Sequence, residues 1–388
     1  MAAAPALSQS ADSSVLQLET KVLLGDVHGR IDHMAVDPKR LRLIVAELGN
    51  DTVGIVDLAR RSVIQRITGL KEPQGVGYEP SSDTLYVANA QDGSVRFFQG
   101  ETYEAAGGID LGSDADNVRI DAAAKRVVIG YGDGGLAVLD AVTRKRIENI
   151  LLKAHPESFQ LDPDGGRIFV NLPDAHAVAV VDSASGQSLA SWPTDKGGNF
   201  AMAIDRDRKR LLVAFRSPPK LSVLSIADGK EIASVETCGD IDDLFVDRKR
   251  NRIYASCGAG FVDVFEVDGA VYRRLNRIPT TQGARTSFFA PELDRLLVAA
   301  RGKLPPSRQR SGYSAHSLRL MAVRHAHVQT QPVQRTSSQA SYVGLGDHSG
   351  LDGIVSPCAG LSPLRRHRCR RRRSGRSRDR TAACRTAA

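Results

Sequence analysis

Short polar clusters recur along the chain, and their residue types suit the binding of a cation or a small polar ligand. Arg30, Asp32 and His33 come first, then Gln74, Asp116 with Asn117, His155 with Glu157, Asp242 with Asp243, and Arg285. Oxygen-rich groups of this kind suit Ca²⁺, and histidine with carboxylate also suits Zn²⁺, so a divalent cation is the cofactor the set would accept. The same side chains equally suit a structural use, capping the starts of strands and pairing with one another. No G-x-S-x-G, H-E-x-x-H, Walker A or dinucleotide fingerprint occurs in the strand–helix context its chemistry requires. Nothing in the sequence places a nucleophile beside a base, so no catalytic residue is assigned and binding is the expected function.

The clusters matter because a repeat spaces them. Seven apolar triplets recur: Ile44-Val45-Ala46, Tyr86-Val87-Ala88, Val128-Ile129-Gly130, Phe169-Val170-Asn171, Leu212-Val213-Ala214, Tyr254-Ala255-Ser256 and Leu297-Val298-Ala299, with central residues 41 to 43 positions apart. A constant period near forty is that of a propeller blade. Each unit has a strand ending near an Asp, a turn rich in Asp, Pro, Gly, Lys and Arg, the triplet strand, a Gly/Asn/Asp loop, a third strand such as Val178-Ala179-Val180-Val181-Asp182, and a fourth. Four antiparallel strands in that length make one blade. The expected fold is all-β, a seven-bladed β-propeller of four-stranded antiparallel blades. Its N-terminal strand, from Val15 to Leu24, should close blade seven and remove the exposed sheet edges. Aligning the units on the strand-ending Asp brings the clusters to one face, over the channel, where propeller ligands bind. The basic runs 206–210 and 248–252 fall in the opposite turns, interleaved with Asp, and are expected to be solvated.

The units resemble the bacterial YVTN-repeat propellers through Tyr86-Val87-Ala88-Asn89 and the run from Asn50 to Asp57. More specifically, the chain is similar to a largely uncharacterised periplasmic branch with G-R-I-D-H, E-P-Q-G-V, D-A-D-N-V-R, H-P-E-S-F-Q, D-D-L-F and G-A-R-T-S at successive blade starts. These stand here at residues 29–33, 72–76, 114–119, 155–160, 242–245 and 283–287. The resemblance covers roughly residues 22 to 300. It implies the fold strongly and leaves the activity open, because propellers host many functions. A non-catalytic periplasmic or secreted propeller is the leading expectation, binding a protein partner or a small polar or cationic ligand at its mouth. An enzyme of the lactonase or metal-dependent hydrolase type is the alternative.

Charge divides the chain. The net charge is +9, yet residues 302–388 hold sixteen Arg and one Lys against three Asp and no Glu. That surplus exceeds the total, so the body is mildly acidic and offers no phosphate-binding face. No nucleic-acid partner through the propeller body and no membrane span are expected, and a monomer is. The expected organisation is 1–14 as a disordered or signal-peptide remnant, 15–301 as the propeller with blade seven incomplete, and 302–388 as a disordered Arg-rich tail. The abrupt loss of Glu and Lys in that tail reads as a frameshift; a genuine basic extension is the alternative, and residues 316–323 could also dock as a makeshift third strand. Cys238 and Cys257 are the only cysteines of the body, placed at one end of blade six. A disulfide and two buried free thiols both fit, and the former would agree with a periplasmic or secreted location.

Overall fold

A computed structural model describes residues 15–162, 164–194, 198–301 and 316–322. They form seven four-stranded antiparallel sheets, with no α-helix among the described residues. Blade one runs outward from the channel through Met34–Asp37, Arg42–Glu47, Thr52–Asp57 and Ser62–Ile67. Blades two to six repeat this order, starting from inner strands Pro73–Glu79, Ala115–Asp121, Phe159–Asp162, Asn199–Asp205 and Ile241–Asp247. Each inner strand touches those of its two neighbours, and the inner strand of blade one touches that of blade seven, so the ring is closed.

Second strands are apolar on both faces because a neighbouring blade covers each of them. Thr84–Asn89 is buried throughout, whereas the outer strand Glu231–Glu236 alternates with a solvated face. Burial of this kind stabilises by roughly 25 cal/mol per Å² of apolar surface, and it is shared between blades. Ile44 and Val53 of blade one pack on Val76, Leu85 and Val87 of blade two, and Tyr254 of blade six meets Phe289 of blade seven with ring centroids 5.2 Å apart.

Blade seven follows the alternative in which residues 316–323 dock as its third strand, and not the incomplete blade ending at 301. Its strands are Ser287–Ala290, Arg295–Arg301, His316–Ala322 and Gln17–Leu23. The third pairs antiparallel with both neighbours, Arg301 opposite His316 on one side and Leu23 opposite Ser317 on the other. The blade is therefore complete, and the propeller extends past 301 to 322. The physical reason is that a third strand is defined by two ladders of backbone hydrogen bonds, which composition barely constrains. The expectations for residues 1–14, 302–315 and 323–388, the frameshift included, lie outside the described residues. At the start of the described chain, Val15 and Leu16 are buried between blades six and seven.

The turns on the face opposite the clusters hold the blades together. Asp37 accepts hydrogen bonds from the backbone of Lys39 and Arg40 and pairs with the Arg40 guanidinium at 2.7 Å, and Arg40 reaches Asp83 of blade two at 2.6 Å. Arg208 repeats this with Asp205 and Asn251, and Arg250 with Asp247 and Asp294. The expected solvated turns are thus only partly so: Arg248 and Lys249 are exposed, while the Arg250 side chain is 3% exposed.

A chain ending at Arg301 would leave Gln17–Leu23 without the strand it pairs with and expose an edge of Arg295–Arg301. It should melt more than about 5 °C below the full chain and aggregate on heating. Unchanged melting by circular dichroism would show that blade seven does not need its third strand.

Candidate functional site

The clusters meet at one mouth of the channel because each lies at the start of an inner strand. In four blades the pairing register slips there, at 73–76, 115–118, 199–202 and 241–243. Such bulges let neighbouring residues face the same way, where regular alternation would send one outward. Both Asp116 and Asn117, and both Asp242 and Asp243, line the channel for this reason. Close approach fixes the wall further: a Cβ on Gly75 would lie 1.8 Å from the Asp116 carbonyl oxygen. Glycine is the residue that lets blade two seat against Asp116.

A cavity of about 290 Å³ opens at this mouth. Of the expected residues it brings together Arg30, Asp32, His33, Gln74, Asp116, Asn117, His155, Glu157, Asp242 and Arg285. Asp243 sits one level deeper, lining a second cavity that shares His33, Ser158 and Asp242 with the first. Arg216 is the residue the sequence reading missed. It ends the second strand of blade five, Arg210–Arg216, where the other blades carry Leu48, Ala90, Gly132, Pro173, Gly258 and Arg301, and its guanidinium carbon lies 3.5 Å from the Phe200 ring centroid. A charged side chain at that strand end was the available signal.

The charges form a network. Arg216 and Arg285 alternate with Asp240 and Asp242 in a closed cycle: Arg285 lies 3.0 Å from Asp240 and 3.2 Å from Asp242, and Arg216 pairs with both. Arg30 pairs with Asp32, and His33 Nε2 lies 3.4 Å from Asp116. His155 Nδ1 donates to the Gly132 carbonyl at 2.7 Å and lies 3.6 Å from Asp114. Asp243 accepts from the Ser287 backbone at 2.6 Å. Glu157 differs. Its backbone carbonyl accepts from Asn117, but among the described residues no hydrogen bond or ion pair reaches its carboxylate. No group of three or more His, Cys, Asp or Glu among the described residues is placed to hold a metal ion.

Burial and crowding shift the proton equilibria. Burial alone would lower His33, but its contact with Asp116 and the charge of Asp32 prevail and hold it up at about 9. Burial, with the Asp116 charge behind it, pushes Glu157 up to about 7. Burial likewise lifts Asp243 to about 7, with Asp242 adding to the rise and His33 opposing it. Burial also raises Asp32. At neutral pH His33 is therefore a cation among carboxylates.

A disulfide joins Cys238 to Cys257, with Cα atoms 5.8 Å apart. It anchors the segment that carries Asp240, Asp242 and Asp243. The Cys238 backbone also donates to Asp263, which Arg277 holds at 2.7 Å.

No protein-family model and no curated protein sequence matches the chain. Its backbone is similar to a chain of Kuenenia stuttgartiensis hydrazine synthase, with TM-score 0.61 and 16% identity over 75% of this chain and 96% of that one. It is also similar to a chain in a mitotic checkpoint complex, with TM-score 0.66 and 12% identity over 83% and 95%. Likeness at such identities shows the fold alone, a β-propeller. Among the described residues no helix is long and apolar enough to cross a membrane.

Two outcomes follow. His33, Glu157 and Asp243 all have native pKa values above their ordinary ones, so the native state binds more protons and stability falls as pH rises. The carboxyl contributions are lost as pH climbs to about 7, and that of His33 between 6.5 and about 9. The melting temperature should drop from about pH 6 to about pH 9, and His33→Gln should remove the part above neutrality; a rise instead would contradict the charge assignment. Separately, Cys257→Ser should lower the unfolding free energy by about 3 kcal/mol for a crosslink of this span, measured by urea titration.

Proposed function

We propose that the protein is a non-catalytic binding propeller whose mouth takes a small polar, cationic ligand. One observation carries this reading: the Glu157 carboxylate lines the mouth cavity without a partner among the described residues, while every other acid there is held by Arg, His or a backbone N–H. A positively charged guest would supply the missing partner, and it would relieve the crowding that keeps Glu157 near neutrality. Either an organic ammonium or a divalent cation meets that demand. The disulfide supports a periplasmic or secreted location, since such bonds persist in oxidising compartments. The repeat's resemblance to periplasmic YVTN propellers points the same way.

The lactonase or hydrolase alternative has one observation behind it, a carboxyl poised near pH 7, the range for a general acid or base. Against it stands His33, held protonated by its carboxylates and so unsuited to act as a base at neutral pH.

Calorimetric titration of the full chain with Ca²⁺, Zn²⁺ and putrescine as separate probes tests the binding reading. At least one should bind one to one, more tightly at about pH 8 than at about pH 6 as Glu157 ionises. Glu157→Gln should weaken that binding at least about ten-fold. No heat from any probe at millimolar concentration, or an affinity indifferent to Glu157→Gln, would overturn it.

A further inference from the structure

Below the mouth, past His33 and Asp242, the channel widens into a second cavity of about 510 Å³. Its wall is made by the inner strands, and its composition is lopsided. At the level two residues before the strand-ending acid of blades one to six, and its equivalent in blade seven, each blade contributes one side chain to the lining. Blades six and seven give Phe245 and Phe288, whose ring centroids lie 6.1 Å apart in an edge-to-face pair. Blades three and four, across the ring, give Arg119 and Gln160. Blades one, two and five give only Ala35, Gly77 and Ala203. The result is a slot with two aromatic rings on one wall, a guanidinium and an amide on the other, and small residues that leave the space between them open.

Arg119 is held rigid but not neutralised. Its Nε donates to the Phe159 carbonyl at 3.1 Å, its Nη1 to the Val118 carbonyl at 3.0 Å, and its guanidinium carbon lies 5.4 Å from the Phe159 ring centroid. No hydrogen bond is made by Nη2, and no carboxylate pairs with this arginine among the described residues. A half-buried guanidinium without a counter-ion among the described residues is costly, and desolvation pulls its pKa down while Asp243 and Asp116 act against that from a distance. Arg206 and Arg248 line the same cavity, Arg248 paired with Asp207, and Asp242 and Asp243 line it as well.

We propose that this lower cavity is a binding site for a small aromatic carboxylate, its anionic group on Arg119 and its ring against Phe245 and Phe288. The Arg119 wall suits an anion where the mouth suits a cation, Asp242 and Asp243 lining the same cavity, and the proposal does not depend on the reading given there. Arginine presents a fork that matches a carboxylate, and aromatic pairs gain from edge-to-face and offset contact with a third ring. Gln160, whose Nε2 already donates to the Met202 carbonyl at 2.8 Å, lies beside Arg119 at the same level and lends the polar wall its width.

Benzoate is the probe, titrated calorimetrically into the full chain, with benzyl alcohol and benzylammonium as shape-matched controls and acetate as the ringless one. Benzoate should bind one to one and at least about ten-fold more tightly than each control. Arg119→Gln should weaken it to the level of benzyl alcohol, and Phe245→Ala should weaken it without bringing acetate up to match. Should Arg119→Gln fail to fold, Ala203→Phe, which fills the slot from another wall, should abolish binding. No benzoate binding at millimolar concentration, equal binding of benzyl alcohol, or benzoate affinity undiminished in both Arg119→Gln and Ala203→Phe would each overturn the proposal.

Discussion

A four-stranded blade has two apolar faces and can cover neither of them alone. Everything else in this molecule depends on how that is resolved, by seating each blade between two others until the row meets itself. Closure uses both ends of the described chain: Gln17–Leu23 and His316–Ala322 join Ser287–Ala290 and Arg295–Arg301 in one sheet. Hydrophobic contact between blades is supplemented on one face by Asp–Arg turns that reach the next blade, as Arg40 does to Asp83 and Arg250 to Asp294. These pairs are partly buried and geometrically fixed, the condition under which ion pairs contribute more than the exposed kind.

Closing the ring turns seven strand starts into one site. Residues about forty positions apart converge on an axis too narrow to solvate each of them, and their ionisation then depends on one another. Asp116 illustrates this. Its carboxylate holds His33 protonated, raises Glu157 and is itself kept below the ordinary range by His33 despite its burial. The disulfide and the Arg216–Asp242–Arg285–Asp240 cycle stiffen the blade-five to blade-seven side of the same mouth. Further along the axis the lining changes, from a mouth rich in acids to a cavity that still includes Asp243 but has Arg119 on one wall and two phenylalanines on the other. A single pore thus carries two chemically distinct surfaces.

Much of this was legible in the chain itself. The triplets from Ile44-Val45-Ala46 to Leu297-Val298-Ala299 set the period and so the blade number, because apolar alternation and turn chemistry are local and repeat with the backbone. The period also aligned Asp32, Asp116, Glu157 and Asp242, which is why the mouth could be assembled on paper from a one-dimensional count. What sequence determined, in short, was which residues share a level of the ring.

What only the tertiary structure decided is how those residues meet across it. Arg216 joins the mouth from a strand end that holds Pro173 and Gly258 in the neighbouring blades, and among the described residues Glu157 is left unpaired because the arginines and histidines at hand are engaged by other acids; neither is a property of any local window. The bulges at 115–118 and 241–243, in the pairing of first and second strands, direct paired side chains inward. The third strand of blade seven, which the sequence offered at 316–323 only as one alternative, was decided by two backbone ladders waiting for a partner. Backbone pairing and charge balance are settled by what lies opposite in space, and the order of residues along the chain does not contain that.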